Sequence, residues 1–443
     1  MTAEGLSHVG APLCASLGCD LVLNPTNLTN HTKKEKPRTA PTDPAVRGPT
    51  MHTTQLRISA LALATSLAAL GAASTSALAA ETEIYGQIDT AFYAVDSKGK
   101  NPTLEMKSST DVSSYWGLRG RESLGETGYV RFVLESGFEG DTGRVANDAR
   151  SGALFSREAM VVIGREGTGE IALGRTAGFL GSTGTYAQWA ATGMNPLASN
   201  APDAALAGVF QSSPIMDNAI VVKSAPIHGV TLLGQFSNST NQTTYPESEG
   251  FSNTEHLYAL AAGWKGENAT ALLAWQMIDY ANVANGPQPH DAKPTHNIFA
   301  GASRGFGDLR VHVAYQHLEN ARGMLGVPSV ISASTMGFNG SASREGFRAD
   351  AFSIGANAPL LGGRLHGSVK MVTGEWRGER GAAADTEGER WVGALRWAYR
   401  FSKRTGFYVL GTYAYANGMF ENTDASNAIA NRATAAAGLT HKF

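Results

Sequence analysis

Charged and basic residues recur at even spacing in several stretches of this chain: Arg119 with Arg121, Arg131 with the acid Glu135, Arg310 with His312, Arg364 with His366 and Lys370, and Arg390 with Arg396 and Arg400. On an extended strand, even spacing puts each set on one face. Such a face can order water and attract ions. The chain offers nothing for these groups to activate: it has no HExxH, no metal spacing among its scattered histidines, and no GxSxG in a strand–turn–helix context. The chemistry on offer is electrostatic, so no catalytic residue, metal or cofactor is expected. Nor do the basic residues gather into one patch, which argues against nucleic-acid binding.

The elements that carry these residues read as strands. In GDLRVHVAYQ, Leu309, Val311, Val313 and Tyr315 share one face, and Arg310, His312, Ala314 and Gln316 the other. GRLHGSVKMV, RWVGALRWAYR and YVRFVLESGF alternate in the same way. Strand-like segments fall at 82–94, 112–121, 128–138, 153–164, 170–176, 217–224, 229–236, 255–264, 269–278, 296–304, 308–317, 349–357, 363–373, 389–400, 405–415 and 432–443, which makes sixteen. Short connections such as EGTG, KGEN and SKRT alternate with long ones such as 177–216 and 318–348. All eleven prolines after residue 80 lie in connections, as ladder hydrogen bonding requires.

This rhythm predicts an all-β fold: a closed sixteen-stranded antiparallel transmembrane barrel with short periplasmic turns and long extracellular loops. A barrel of that width cannot be filled by side chains, so the polar face must line a watery lumen and the apolar face must meet lipid. The chain has no apolar run of 18 or more residues in its main body. The last strand ends on Phe443, preceded at alternate positions by His441, Leu439, Ala437 and Ala435. A lipid-facing strand that stops in the interfacial aromatic girdle accounts for that ending.

Only 17% of the 443 residues are charged, and glycine is abundant at 51. Cys14 and Cys19 lie in the first 50 residues, which excludes a disulfide framework or cysteine metal site in the main body. Residues 51–80, MHTTQLRISALALATSLAALGAASTSALAA, read as a secretory signal peptide cleaved after Ala79 or Ala80. Residues 1–50 are then either upstream of the true initiator, Met51, or a disordered extension, and 81–443 is the barrel. That mature part holds 30 Lys+Arg against 34 Asp+Glu, about −4.

At this point several stretches resemble one family. TEIYGQIDTAFY, SSYWGLRGRESLGETGYVRFVLESGFEGDTG, LFSREAMVVIGREGTGEIALGR, FSKRTGFYVLGTYAYANG and GLTHKF are similar to the general trimeric porins of proteobacterial outer membranes. The resemblance implies a homotrimer in outer-membrane lipid that passes ions and small hydrophilic solutes by diffusion. It implies a third loop folded into the lumen, here 177–216, and Phe443 as the signal read by the barrel-assembly machinery. Two departures stand out: Tyr115 occupies a position where relatives often carry arginine, and the third loop holds a single carboxylate, Asp203.

By alternation the pore wall is Arg119, Arg121, Arg131, Glu135, Arg310, Arg364, Lys370 and Arg396, with Arg157 added by family position. Tyr186, Gln188, Trp189, Asn195 and Asp203 are candidates for the constriction loop. Trp189 either lines the eyelet or anchors the loop against the wall. Compensating acids are expected in the loops, at Glu247, Glu249, Glu375, Asp385 and Glu387. A lumen dominated by positive charge predicts a modest anion preference, screened over about 8 Å at physiological salt. The alternative is a barrel of the same architecture specific for one solute class. A surface enzyme or adhesin would need a catalytic set or a passenger domain that the chain does not carry.

Overall fold

A computed structural model of the chain describes residues 81–146, 153–201, 203–239, 255–280, 291–323, 338–339, 343–383, 385–421 and 431–443. The expected extension 1–50, the signal segment 51–80, Glu247 and Glu249 lie outside the described residues.

Eighteen strands are described: β1 (Glu81–Ser97), β2 (Thr103–Ser108), β3 (Tyr115–Leu124), β4 (Gly128–Phe138), β5 (Val145–Ala146), β6 (Glu158–Arg165), β7 (Gly169–Ala177), β8 (Ile215–Ser224), β9 (Val230–Ser239), β10 (Glu255–Lys265), β11 (Ala269–Tyr280), β12 (Thr295–Phe306), β13 (Leu309–Ala321), β14 (Phe347–Leu360), β15 (Gly363–Trp376), β16 (Glu387–Arg400), β17 (Thr405–Ala416) and β18 (Arg432–Lys442). β2 and β3 both pair with β1, end to end, and β5 and β6 both pair with β4. Eighteen strands therefore fill sixteen barrel places, and β1 pairs β18 to close the sheet. All pairings among the described strands are antiparallel, and closure leaves the sheet without a free edge strand, as hydrocarbon demands. No helix among the described residues is long and apolar enough to cross a membrane.

Several boundaries differ from the sequence reading. Residues 112–114, expected in a strand, precede β3. Residues 103–108, expected in a connection, extend the pairing with β1. Residues 153–157, expected in a strand, precede β6. Pro359 lies inside β14, opposite Arg364, one residue from the strand's end. Proline is tolerated there because the ladder stops at the next turn.

One face of each strand is open: Ile84 is 69% exposed, Leu260 60%, Ile354 58% and Leu395 60%. Isolated in water such a band would aggregate; in lipid it is the outer wall. Trp397, Tyr399, Phe401 and Phe407 stack at the end of the barrel that carries the short turns.

Phe443 sits on the same outer face and closes the seam. Its N–H donates to the Gly86 carbonyl at 3.1 Å, and its carbonyl accepts from the Gly86 N–H at 3.3 Å. The ring lies over Gly86, where a β-carbon would stand 2.5 Å from a ring atom and 2.5 Å from the Tyr115 carbonyl oxygen. Gly86→Val is therefore expected to weaken closure by about 1–3 kcal/mol, the usual cost of overpacking. The check is the temperature at which the folded, SDS-resistant barrel is lost. An unchanged temperature would mean that the ring swings aside at no cost.

The inner face is where the structure departs most from expectation. On β10 to β14 much of it is apolar, with Leu257, Ala259, Ala261, Leu272, Ala274, Phe299, Ala314, Ala349 and Ala351 all buried beside the polar Gln276, Asn297 and Gln316. A watery lumen on that side would leave these groups wet. They are dry because the connection 178–214 folds inward and covers them.

Candidate functional site: an aperture between the inward loop and one wall

The loop 178–214 contains one turn of helix, α1 (Gln188–Ala191), and a 3-10 turn at Leu206–Gly208. Its apolar side packs outward against the wall. Trp189, Phe210 and the wall residue Phe299 form a triangle, with ring centroids 5.5, 5.9 and 6.3 Å apart. Inward-facing glycines admit the loop backbone and its side chains: a β-carbon on Gly355 would lie 2.5 Å from Pro196, and one on Gly301 2.8 Å from the Met194 sulfur.

Polar anchors tie the loop around the barrel. At its start, Glu158 accepts from the Thr185 N–H at 2.8 Å, the Thr185 hydroxyl at 2.7 Å and the Thr176 hydroxyl at 2.8 Å. Tyr186 accepts from Arg131 at 3.2 Å and donates to Glu170 at 3.1 Å. Burial, together with the Glu170 carboxylate, holds the Tyr186 hydroxyl well above the ordinary tyrosine range. Further along, the Thr270 hydroxyl donates to the Thr192 carbonyl at 2.7 Å, and His366 Nδ1 lies 2.9 Å from the Pro196 carbonyl.

The far end is held by charge. Asp203 accepts from Arg390 at 2.6 Å and from Arg432 at 2.5 and 2.9 Å. Lys370 donates to the carbonyls of Asp203, Ala204 and Ala205 at 2.6, 2.8 and 2.5 Å, and Arg390 also donates to Gly208. Burial alone would raise the Asp203 carboxyl. Arg390 and Arg432 overcome that and hold it well below the usual carboxylate range.

What stays open is a cavity of about 620 Å³ between the loop and the wall of β1, β3, β4 and β6. Tyr85, Tyr115, Arg119, Arg131, Glu135, Arg157 and Glu158 line it from the wall, and Ser182, Thr183, Thr185, Asn195 and Asn200 from the loop. Tyr85 donates to Glu135 at 2.7 Å, and Arg157 pairs with the same carboxylate at 3.2 Å. Arg157 also stacks over Tyr115, and Arg119 over Tyr85, at 4.7 and 4.4 Å. Tyr115 thus gives a neighbouring guanidinium its platform.

The residues expected at the pore fall into three environments. Arg119, Arg131, Glu135 and Arg157 border the cavity. Arg121 pairs with Glu166, Arg310 donates to Ser303 at 2.9 Å, and Arg364 to Asn357 at 2.6 Å, all near the short turns. Lys370 lies buried beneath the loop, and Arg396 is taken up by Asp111 at 2.6 and 2.5 Å. Among the loop candidates, Trp189 and Asn195 border the cavity, although Trp189 is only 1% exposed and packs as an anchor. Gln188 turns back to the Tyr186 carbonyl at 2.9 Å. Tyr186 and Asp203 are buried in their anchoring contacts.

One expectation is corrected: the compensating acids are not mainly in the outer loops. Glu375 and Glu387 stand opposite each other in β15 and β16. The lumen's arginines are met by Glu83, Asp111, Glu135, Glu170 and Asp203. Alternation places Glu83 and Glu170 inward and would have found them. Asp111 and Asp203 are loop residues that no periodicity reaches.

Comparison with known proteins agrees with this architecture. Residues 64–426 match the family model described as Gram-negative porin. The chain is 25% identical over 402 residues to an outer membrane porin protein of Bordetella pertussis, covering 85% of this chain and 98% of that one. Among solved structures it is similar to an anion-selective porin from Comamonas acidovorans, with TM-score 0.58, 18% identity and coverage of 82% and 100%. It is also similar to the Salmonella typhi OmpF complex with daunomycin, with TM-score 0.56, 12% identity and coverage of 82% and 97%. With a closed sixteen-place barrel, a lipid-type outer wall and a polar opening between the inward loop and one wall, this chain belongs to the Gram-negative porin family and forms a channel in the bacterial outer membrane.

Proposed function

We propose that this porin is a homotrimer that passes ions and small hydrophilic solutes by passive diffusion, with a modest preference for anions. The observation that carries the preference is an asymmetry across the opening. Arg119, Arg131 and Arg157 face a loop side, Ser182–Thr185 with Asn195 and Asn200, that has no charged group. The loop's own acid is already held by two arginines. Glu135 and Glu158 on the wall, Asp111 beside the opening, and Glu83 and Glu170 paired with Arg119 and Arg131 offset part of the positive charge, so the preference is modest. At physiological salt only charges within about 8 Å of the path act strongly, which singles out these three arginines.

The deciding experiment is a planar-bilayer recording with the reversal potential across a KCl gradient. Steps grouped in threes with an anion-favouring potential support the reading; a cation-favouring potential overturns the preference. Block of the current by one solute at low concentration would move the assignment to a solute-specific channel. Arg119→Gln, which removes a half-exposed guanidinium at the opening, is expected to move the potential toward cations without changing the step size. The proposal includes export through the 51–80 leader and recognition of β18 with Phe443 by the barrel-assembly machinery.

A further inference from the structure

The second barrel place is broken opposite the middle of β1. β2 ends at Ser108 opposite Thr90, and β3 begins at Tyr115 opposite Gln87. Six residues, Ser109–Ser114, thus stand where the partner strand has two, Ile88 and Asp89. The segment is STDVSS, rich in side chains that compete with ladder bonding. It departs through Ser109 at φ 59°, a left-handed conformation uncommon for serine.

Asp89 holds the excursion. It is wholly buried, and its carboxylate accepts from the N–H groups of Thr110, Asp111 and Val112 at 3.0, 3.2 and 3.2 Å and from the Tyr408 hydroxyl at 3.1 Å. Its own N–H donates to the Ser114 hydroxyl at 3.0 Å. These bonds replace the ladder that the break gives up.

The excursion enters the lumen and meets the inward loop. The Asp111 carbonyl accepts from the Asn200 N–H at 2.8 Å, and the Asn200 side chain reaches the Ser113 hydroxyl at 3.3 Å. Asp111, Val112 and Ser113 border the opening. The Asp111 carboxylate takes both ends of Arg396 from β16, across three intervening barrel strands, β17, β18 and β1.

We propose that Ser109–Ser114 is a second constriction element, independent of the inward loop, with Asp89 its positioning residue and Asp111 a residue that sets ion preference. The excursion narrows the opening and seats the loop's Asn200. Asp111 cancels the charge of Arg396, so the channel favours anions less than its wall arginines would make it. The inference rests on the channel reading.

Four variants of the full chain in planar bilayers test it. Asp111→Asn keeps the shape and removes the charge. It is expected to raise the chloride-to-potassium permeability ratio roughly two- to fivefold, the effect of one unit charge a few ångströms from the path in water, at unchanged step size. Adding Arg396→Gln to Asp111→Asn should cancel that shift. Deletion of Thr110–Ser113 removes four residues, an even number that preserves the facing of β3, and should enlarge the step. Asp89→Asn, whose amide N–H opposes the backbone N–H groups, should enlarge it less and add open-channel noise. SDS resistance reports whether each variant is folded. An unchanged reversal potential in Asp111→Asn overturns the selectivity role. Wild-type step size in every folded variant among the deletion and Asp89→Asn overturns the constriction role. A wild-type protein that shows no steps at all would instead overturn the channel reading itself.

Discussion

Replacing Asp203 with alanine is expected to release the inward loop and enlarge the conductance step. The substitution removes the carboxylate that Arg390 and Arg432 share and that lies beside Lys370 beneath the loop. Breaking a buried pair by removing one partner typically costs about 3–5 kcal/mol, because the remaining charge is uncompensated and dry. The cheapest escape is for the loop to lift and let water reach the three cations. The measurement is step size and open-channel noise, with SDS resistance showing that the barrel itself survives. A quiet channel of unchanged size would mean that the Lys370 bonds and the aromatic packing hold the loop alone.

The same clamp predicts an acid response. Asp203 is held below its unfolded value, so its contribution to loop seating is present in full above the ordinary carboxylate pKa, about 4, and is lost as pH falls through the depressed folded value. Conductance through the seated loop should therefore not change on this account between pH 7 and pH 4. Loosening of the loop should begin only below that range, and Asp203→Ala should lack the transition. An Asp203-dependent change between pH 5 and pH 7 would contradict the ion-pair geometry.

Trp189→Ala carries the second large effect. The side chain is 1% exposed and sits between Phe210 and Phe299. Truncating a buried tryptophan costs about 3–5 kcal/mol through lost burial and the cavity left behind. The barrel ladder does not depend on this residue, so the loss falls on the loop. The expected result is a larger, noisier step and faster proteolysis within 178–214, with the reversal potential little changed because no charge is altered. Trp189→Phe, which keeps part of the packing, should lie between. If Trp189→Ala altered solute passage while leaving the loop as protease-resistant as before, the ring would belong to the permeation path rather than to the anchor. The two substitutions also separate two forces: the Asp203 contact is electrostatic and acid-sensitive, while the Trp189 contact is apolar and insensitive to pH.

Much of this protein is determined by local rules that the chain displays directly. Period-two alternation, alternating connection lengths and the placing of proline specify sixteen barrel places, because ladder hydrogen bonding and an apolar outside leave few other solutions. They also specify facing. Arg119, Arg131 and Glu135 border the opening in the structure as alternation places them, whereas Arg157, placed there only by family position, borders it from just before β6, and the Leu260 and Ile354 faces are bare. What alternation cannot specify is which inward residues see water. Ala259, Ala261, Gly263, Ala274, Gly301 and Gly355 are inward yet small, a signal that something packs on them, but the identity of the cover is set only when 178–214 crosses the barrel. Asp203 meets Arg390 and Arg432 from 187 and 229 residues away, and Asp111 meets Arg396 from 285. Contacts at such separations follow from closure of the barrel and the path of the loop inside it, and no periodicity along the chain encodes them. The tertiary structure therefore decided where the opening lies, which charges line it and which are cancelled beneath the loop, because burial and pairing are properties of neighbours in space.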